Sequence, residues 1–257
     1  LSTYVSDSQR RDQEPYKFYF TQGEHTITFE SVKEPLKIGK ITLTAAKPPV
    51  SYEEYINKHK DAKVYDGVNL VYQAERTDEN MTLAIQKSST NVGVTSDYSS
   101  PYTVPYHTYK IMLNTMGGSN WRTPGTFITW KINVPEDGLY RLSFRGRQNT
   151  NRGVKSYREL RINGEVPFEE AKKIGFAFSG EFQNYIISKD NEPLLFYFNK
   201  GENTISLEVV LGDFANALTQ VEDSIFALND LYRRIVQITG VVPDQYIDYE
   251  IAKKIPD

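Results

Sequence analysis

The stretch Trp121 to Arg147, WRTPGTFITWKINVPEDGLYRLSFRGR, decides the fold. Phe127, Thr129, Lys131 and Asn133 alternate with Ile128, Trp130, Ile132 and Val134, the period of two of a half-buried strand. Pro135-Glu136-Asp137-Gly138 breaks the run, with proline suited to a turn entry and glycine free to take positive φ. Leu139, Tyr140, Leu142 and Phe144 open a second strand. This pattern predicts a hairpin whose apolar face must be covered by a second sheet, hence a β-sandwich.

Outward from there, the chain repeats itself. EPYKFYFTQGEHTITFE, residues 14–30, aligns without a gap on EPLLFYFNKGENTISLE, residues 192–208. Each copy reads as a strand, a Gly-centred turn and a second strand, so the expectation is two tandem sandwiches with only the last part of the first present. The predicted layout is the end of a first sandwich over 1–47, a linker with a short helix over 48–66, a complete sandwich over 67–212 and a helical extension over 213–257. Pro48-Pro49 marks the linker, and Ser51 is a helix N-cap with Glu53 and Glu54 in the first turn. Residues 68–74 are predicted to be the first strand of the complete sandwich, followed by weaker strands at 81–85 and 93–95, a Ser-Pro-Tyr loop over 96–107, a strand at 157–162 and a tight turn at Asn163-Gly164. Past Gly212, Phe214, Leu218, Val221, Ile225, Leu228, Tyr232 and Ile235 step by four and three, an amphipathic helix ending near Gly240 whose stripe is expected to dock on the sandwich or on a following segment.

Composition narrows the function. At 257 residues, 39% hydrophobic and 25% charged, the chain has ordinary globular values. A net charge of −3 gives no broad attraction to nucleic acid or an anionic membrane. There is no cysteine, which excludes disulfides and thiolate catalysis. No apolar run is long enough to span a bilayer. Residues 1–12 are polar and charged rather than a signal peptide, and both ends read as cuts through a longer polypeptide. His25, His59 and His107 lack metal-ligand spacing. The adjacent carboxylates Asp78/Glu79, Glu136/Asp137, Glu169/Glu170 and Glu222/Asp223 fall in turns or on helix faces, so no enzyme is predicted.

The constellation that suggests binding is aromatic and amide-rich. Tyr98, Tyr102, Tyr106, Tyr109 and Trp121 lie in loops beside the central strands, with Arg145, Arg147, Gln148, Asn149, Asn151 and Arg152 on or after them. Aromatic rings stack on the apolar faces of sugars while amides and guanidinium groups bridge hydroxyls. The alternative is that the tyrosine loops pack down and the arginines form structural pairs.

These same residues carry a resemblance. Trp130, Val134-Pro135-Glu136-Asp137-Gly138-Leu139-Tyr140, Arg145 to Asn149, Ile162-Asn163-Gly164 and Gly201-Glu202-Asn203-Thr204-Ile205 resemble the core of galactose-binding-like jelly rolls, the fold of carbohydrate-binding modules of families 6 and 35. The tandem arrangement with its long helix is similar to the jelly-roll region of large extracellular solute-binding proteins of bacterial carbohydrate ABC transporters. The resemblance implies a mainly β jelly roll with an added C-terminal helix, a non-catalytic carbohydrate-binding role at the cell surface or outside the cell, and packing against other domains of a parent protein. A structural spacer without a ligand is the second reading. The predicted ligand-contact residues are Tyr102, Tyr106, Trp121, Arg147 and Asn149; no cofactor is expected, and the one metal the resemblance raises is calcium, at Glu75.

Overall fold

The computed structural model describes residues 5–7, 14–30, 37–75, 81–86 and 92–255, with 81–86 described by backbone alone. The chain divides into two compact units, Leu1–Val210 and Leu211–Asp257. In the first, a helix α1 (Tyr52–Lys58) precedes strands β1 (Met81–Gln86), β2 (Val94–Thr95), β3 (Thr115–Met116), β4 (Phe127–Val134), β5 (Gly138–Arg141), β6 (Ser143–Gly146) and β7 (Ser156–Ile162). There follow β8 (Ile174–Phe176), β9 (Gln183–Ile186), β10 (Ser188–Lys189), β11 (Glu192–Pro193), β12 (Leu195–Phe198) and β13 (Gly201–Val210). One sheet runs β1-β4-β13-β7-β8; facing it, β5 pairs with β12 and β6 with β9, all antiparallel. This is the expected mainly β, jelly-roll sandwich.

The central stretch folds differently from a hairpin. β4 pairs with β1 and β13 in the larger sheet, whereas β5 pairs with β12 in the other. Pro135–Asp137 therefore carries the chain across the sandwich. The repeat at 195–210 does the same, since β12 pairs with β5 and β13 with β4. Two arches are thus stacked strand on strand, and Asp137 Oδ1 accepts a hydrogen bond from Lys200 N at 2.5 Å to join their bends. The alternation of apolar residues is the same for a hairpin and an arch, because in both one face of each strand is covered. Ile128, Trp130, Ile132 and Val134 of β4 meet Phe196 and Phe198 of β12 in one buried cluster.

Gly138 has a different role from the one its turn suggests. It does not take positive φ; instead a Cβ there would lie 2.7 Å from the carbonyl oxygen of Lys63. Residues 63–65 run along the free side of β5, with Leu139 N donating to Lys63 O and Tyr65 N to Leu139 O, each at 2.9 Å. Gly138→Ala is expected to cost about 1–3 kcal/mol by forcing this segment off β5, seen as a lower denaturation midpoint at unchanged m-value.

Helix α1 forms as predicted, with Ser51 Oγ accepting from Glu54 N at 3.2 Å. Its Tyr52 and Tyr55 rings pack on Phe168, and their hydroxyls accept from Leu195 N and Tyr197 N at 2.9 and 2.8 Å. The Asn163-Gly164 turn is also present, with φ of 52° and 84°. Its asparagine is bound to the second arch: Asn163 Nδ2 donates to Asn203 Oδ1 at 2.9 Å, and Thr204 N to Asn163 Oδ1 at 2.8 Å. The buried Asn203 donates on to the carbonyls of Asn199 and Gly201, so the group is satisfied within the fold.

Two expected sets of strands are not formed. Residues 68–74 are outside any strand because β4 already has both neighbours; they are fastened instead by Tyr72 OH to Asn133 O at 2.6 Å and Trp130 Nε1 to Ala74 O at 3.0 Å. The first repeat copy, 14–30, also has no strand, and Phe18 and Tyr19 are exposed. A two-stranded hairpin with no third strand or covering layer is marginal in water.

In the second unit, helix α2 (Phe214–Thr239) ends at Gly240, whose φ is 73°, and α3 (Ile251–Lys254) follows. None of α2's residues is buried. Neither helix is long and apolar enough to cross a membrane.

Candidate functional site

The tyrosine loop of residues 96–113 connects the short strands β2 and β3, which are clamped by Thr95 and Thr115 hydroxyls 2.9 Å apart. Asn114, buried at the base, donates from Nδ2 to Asp97 O and Pro105 O at 2.8 and 3.0 Å, and its Oδ1 accepts from Asp97 N at 2.8 Å. Further out, His107 Nδ1 accepts from Tyr109 N and Lys110 N at 3.0 and 3.1 Å. One side chain therefore fixes the entry and middle of the loop, and another its far turn.

Arg147 ties this loop to the end of β6. Its guanidinium pairs with Asp97 and donates to Ser99 Oγ at 2.5 Å, and its carbon lies 5.0 Å from the Phe182 ring centroid. Burial pushes the Asp97 carboxyl up, but hydrogen bonds from Ser99 and the charge of Arg147 outweigh it and hold the group below its ordinary value. The adjoining loop is organised by Gln148, which donates to Asn151 O and Val154 O and accepts from Thr150 N and Asn151 N. Asn149 stands exposed between them, and Arg152 lies over Phe178 at 5.5 Å.

The rings this scaffold presents are open to solvent: Tyr98 is 82% exposed, Tyr102 79% and Tyr109 93%. These rings are therefore not packed into a satellite core. Tyr106 is less open, at 41%.

Trp121 is packed inward. It is half-buried against the core, edge-on to Trp130, with the Arg158 guanidinium 4.4 Å from its ring centroid and Arg158 Nη2 donating to its carbonyl at 3.0 Å. Burial lowers Arg158 to about 10, which leaves it cationic at neutral pH. One face of the indole is thus taken up by a cation–π contact. Of the five predicted residues, Arg147 is built into the tyrosine loop that carries Tyr102 and Tyr106, Asn149 lies in the adjoining loop, and Trp121 packs against the core beside Gly117. Sequence reasoning missed Asp97 and Phe182, the partners of Arg147, because both contacts are distant in the chain.

Several of the candidate carboxylates are held in ion pairs among the described residues. Glu136 faces Lys63 at 3.7 Å, Glu169 faces Lys172 at 2.8 Å, and Glu170 pairs with Lys189 and accepts from Tyr52 N. The pair Asp78/Glu79 lies outside the described residues. Glu75, the candidate calcium ligand, is half-buried, and no group of three or more His, Asp or Glu side chains that could hold a metal is found among the described residues. His59 is stacked on Tyr197 at 4.4 Å.

A shallow groove of about 410 Å³, lined by Asn69 to Tyr72 and Asn133 to Pro135, sits at the bend from which β5 and β6 lead away toward Arg147. None of its lining residues belongs to the tyrosine loop.

No family model matches the chain, and no curated protein matches it. Among solved structures it is similar to a family 35 carbohydrate-binding module from Clostridium thermocellum, at 19% identity and a TM-score of 0.37, covering 56% of this chain and 88% of that one. A second is a cycloisomaltooligosaccharide glucanotransferase from Paenibacillus sp., at 22% identity and a TM-score of 0.35, covering 63% of this chain and 21% of that one. A third is a family 35 module from Cellvibrio japonicus, at 16% identity and a TM-score of 0.33, covering 50% and 81%. These are likenesses of the chain; its fold stands on the strand order and register given above.

Proposed function

We propose that the sandwich is a non-catalytic carbohydrate-binding module whose contact face is the tyrosine loop together with the loop after Arg147. The observation that carries this is the exposure of Tyr98, Tyr102 and Tyr109 on a backbone fixed by Asn114, His107 and Arg147. Fixed rings lose little conformational freedom on binding, and the amides of Asn149 and Asn151 stand alongside to bridge hydroxyls. The carbohydrate-binding modules among its structural likenesses support the same reading. An extracellular or cell-surface setting, other domains of a parent protein as partners and a link to sugar uptake through an ABC transporter complete the proposal, resting on the sequence resemblance.

Affinity electrophoresis through gels containing a panel of soluble polysaccharides tests it. At least one polysaccharide is expected to retard the chain, and Tyr102→Ala with Tyr109→Ala to remove most of that retardation, each ring contributing about 1 kcal/mol or roughly fivefold in affinity. Retention by no polysaccharide, or unchanged retention of the double variant, overturns this assignment. The spacer reading is favoured by one observation, the exposure of Phe18, Tyr19, Phe29, Ile41 and Leu43 in residues 14–43, which suits packing against another domain.

A further inference from the structure

Helix α2 steps by four and three through seven apolar positions, from Phe214 to Ile235. That is a repeat of 3.5, not 3.6, kept over the full helix. A strict heptad keeps its stripe facing another helix and winds the two into a left-handed pair; a sheet surface makes no such demand. Phe214, Val221, Leu228 and Ile235 take the d positions, and Leu218, Ile225 and Tyr232 the a positions. All but Ile235 are between 40% and 64% exposed. A shallow depression lined by Ala217, Gln220, Val221, Ser224 and Ile225 lies on this face, the kind of hole that receives a knob from a facing helix.

The flanking positions select the partner and its direction. Toward the N-terminus they are small: Ala215, Ala217 and Ser224. Toward the C-terminus they are large and apolar: Leu231, Val236 and Ile238. In an antiparallel pair with Ile225 opposite Leu228, e faces e and g faces g. Ala215 then meets Val236, Ala217 meets Ile238 and Ser224 meets Leu231, a small residue against a large one each time. A parallel pair would place bulk beside bulk at one end and leave the other end thin. Charge agrees. Glu222 and Asp223 lie in the N-terminal half, while Arg233 and Arg234 lie toward the other end with Asp230, 2.9 Å from Arg234. Antiparallel pairing brings the acidic stretch alongside the basic one, whereas parallel pairing sets like beside like. A helix of 26 residues is about 39 Å long at ~1.5 Å per residue. Seven side chains burying on the order of 100 Å² each give roughly 1,400 Å² across the pair, above the ~1,000 Å² of a stable interface.

We propose that α2 pairs antiparallel with α2 of a second copy of this chain. The whole chain, 1–257, has no cysteine, so disulfide trapping starts from a clean background. Sedimentation equilibrium at about 100 µM is expected to give twice the chain mass, and Val221→Asp with Ile225→Asp to return it to the monomer with the near-UV circular dichroism of the sandwich unchanged. Mixed Leu218→Cys and Ile235→Cys chains are expected to cross-link on mild oxidation, and neither variant alone. A monomer at 100 µM overturns the pairing, as does a dimer that survives the two aspartates. Cross-linking of Leu218→Cys chains to themselves overturns its direction, because those positions face each other only in a parallel pair.

Discussion

Phe168→Ala is expected to lower the stability of the sandwich by about 3–5 kcal/mol, the largest loss for any single residue considered. The ring is fully buried and lies 4.9 Å from Tyr52, 5.0 Å from Tyr55 and 5.2 Å from Phe196, centroid to centroid. It touches both tyrosines of α1 and the strand β12 they serve. Truncation therefore leaves a cavity and also loosens the helix whose hydroxyls satisfy two backbone N–H groups of β12. The melting temperature is expected to fall by on the order of 10 °C. Phe168→Leu, which keeps most of the volume, should recover more than half of the loss. A loss below about 1 kcal/mol for the alanine variant would show that α1 is not anchored through this ring.

Arg147→Ala is the second. Both side chains of the Asp97–Arg147 pair are under 20% exposed, so removing the arginine leaves a largely buried carboxylate that keeps its bonds from Ser99 but loses its counter-charge. The expected cost is about 2–3 kcal/mol, discounted for partial solvation from the value of a fully buried pair. The loop carrying Tyr98 and Tyr102 would lose its tie to β6, and carbohydrate retention is expected to fall at least tenfold. Asp97→Asn separates the two roles of the arginine: it keeps the guanidinium but removes its anchor. Equal losses in both variants would mean that Arg147 positions the loop; a loss in the alanine variant alone would mean that it contacts the sugar. The same pair sets a pH limit. The folded carboxyl titrates below its ordinary value of 3.8, so its stabilisation is fully present above that value and is lost as pH falls through the lower one. Retention by the tyrosine loop is expected to be level from pH 7 to 5 and to weaken below about pH 4.

The sandwich was legible because alternation of Ile128, Trp130, Ile132 and Val134 with polar neighbours reports which face is covered. It does not report which strand lies alongside. The Val134–Leu139 break and the Phe198–Gly201 break were read as hairpins for that reason, and both are crossings between sheets. The register of the second repeat also made the first copy look like two strands, yet identical residues form no ladder where the described chain offers them no neighbouring strand. Helix α2 was legible almost to the residue, because period, length and Gly240 all agree. Of the site, the tyrosine loop was visible as composition. Its anchors were not, since Asp97–Arg147 and Arg147–Phe182 join positions far apart in the chain, and only the fold supplies that proximity. Trp121 looked available because it sits in a loop; Arg158, on β7, covers it.

The two tyrosine hydroxyls of α1 have a further consequence. Strand β12 is bonded to β5 on one side, and on its other side Leu195 and Tyr197 direct their N–H groups outward. Left bare, that row is a template on which an extended segment of any chain can add itself and begin an aggregate. Tyr52 and Tyr55 occupy both donors with side-chain oxygens that offer no backbone to continue a ladder. The helix thus acts as a stopper: it ends the sheet chemically at this edge.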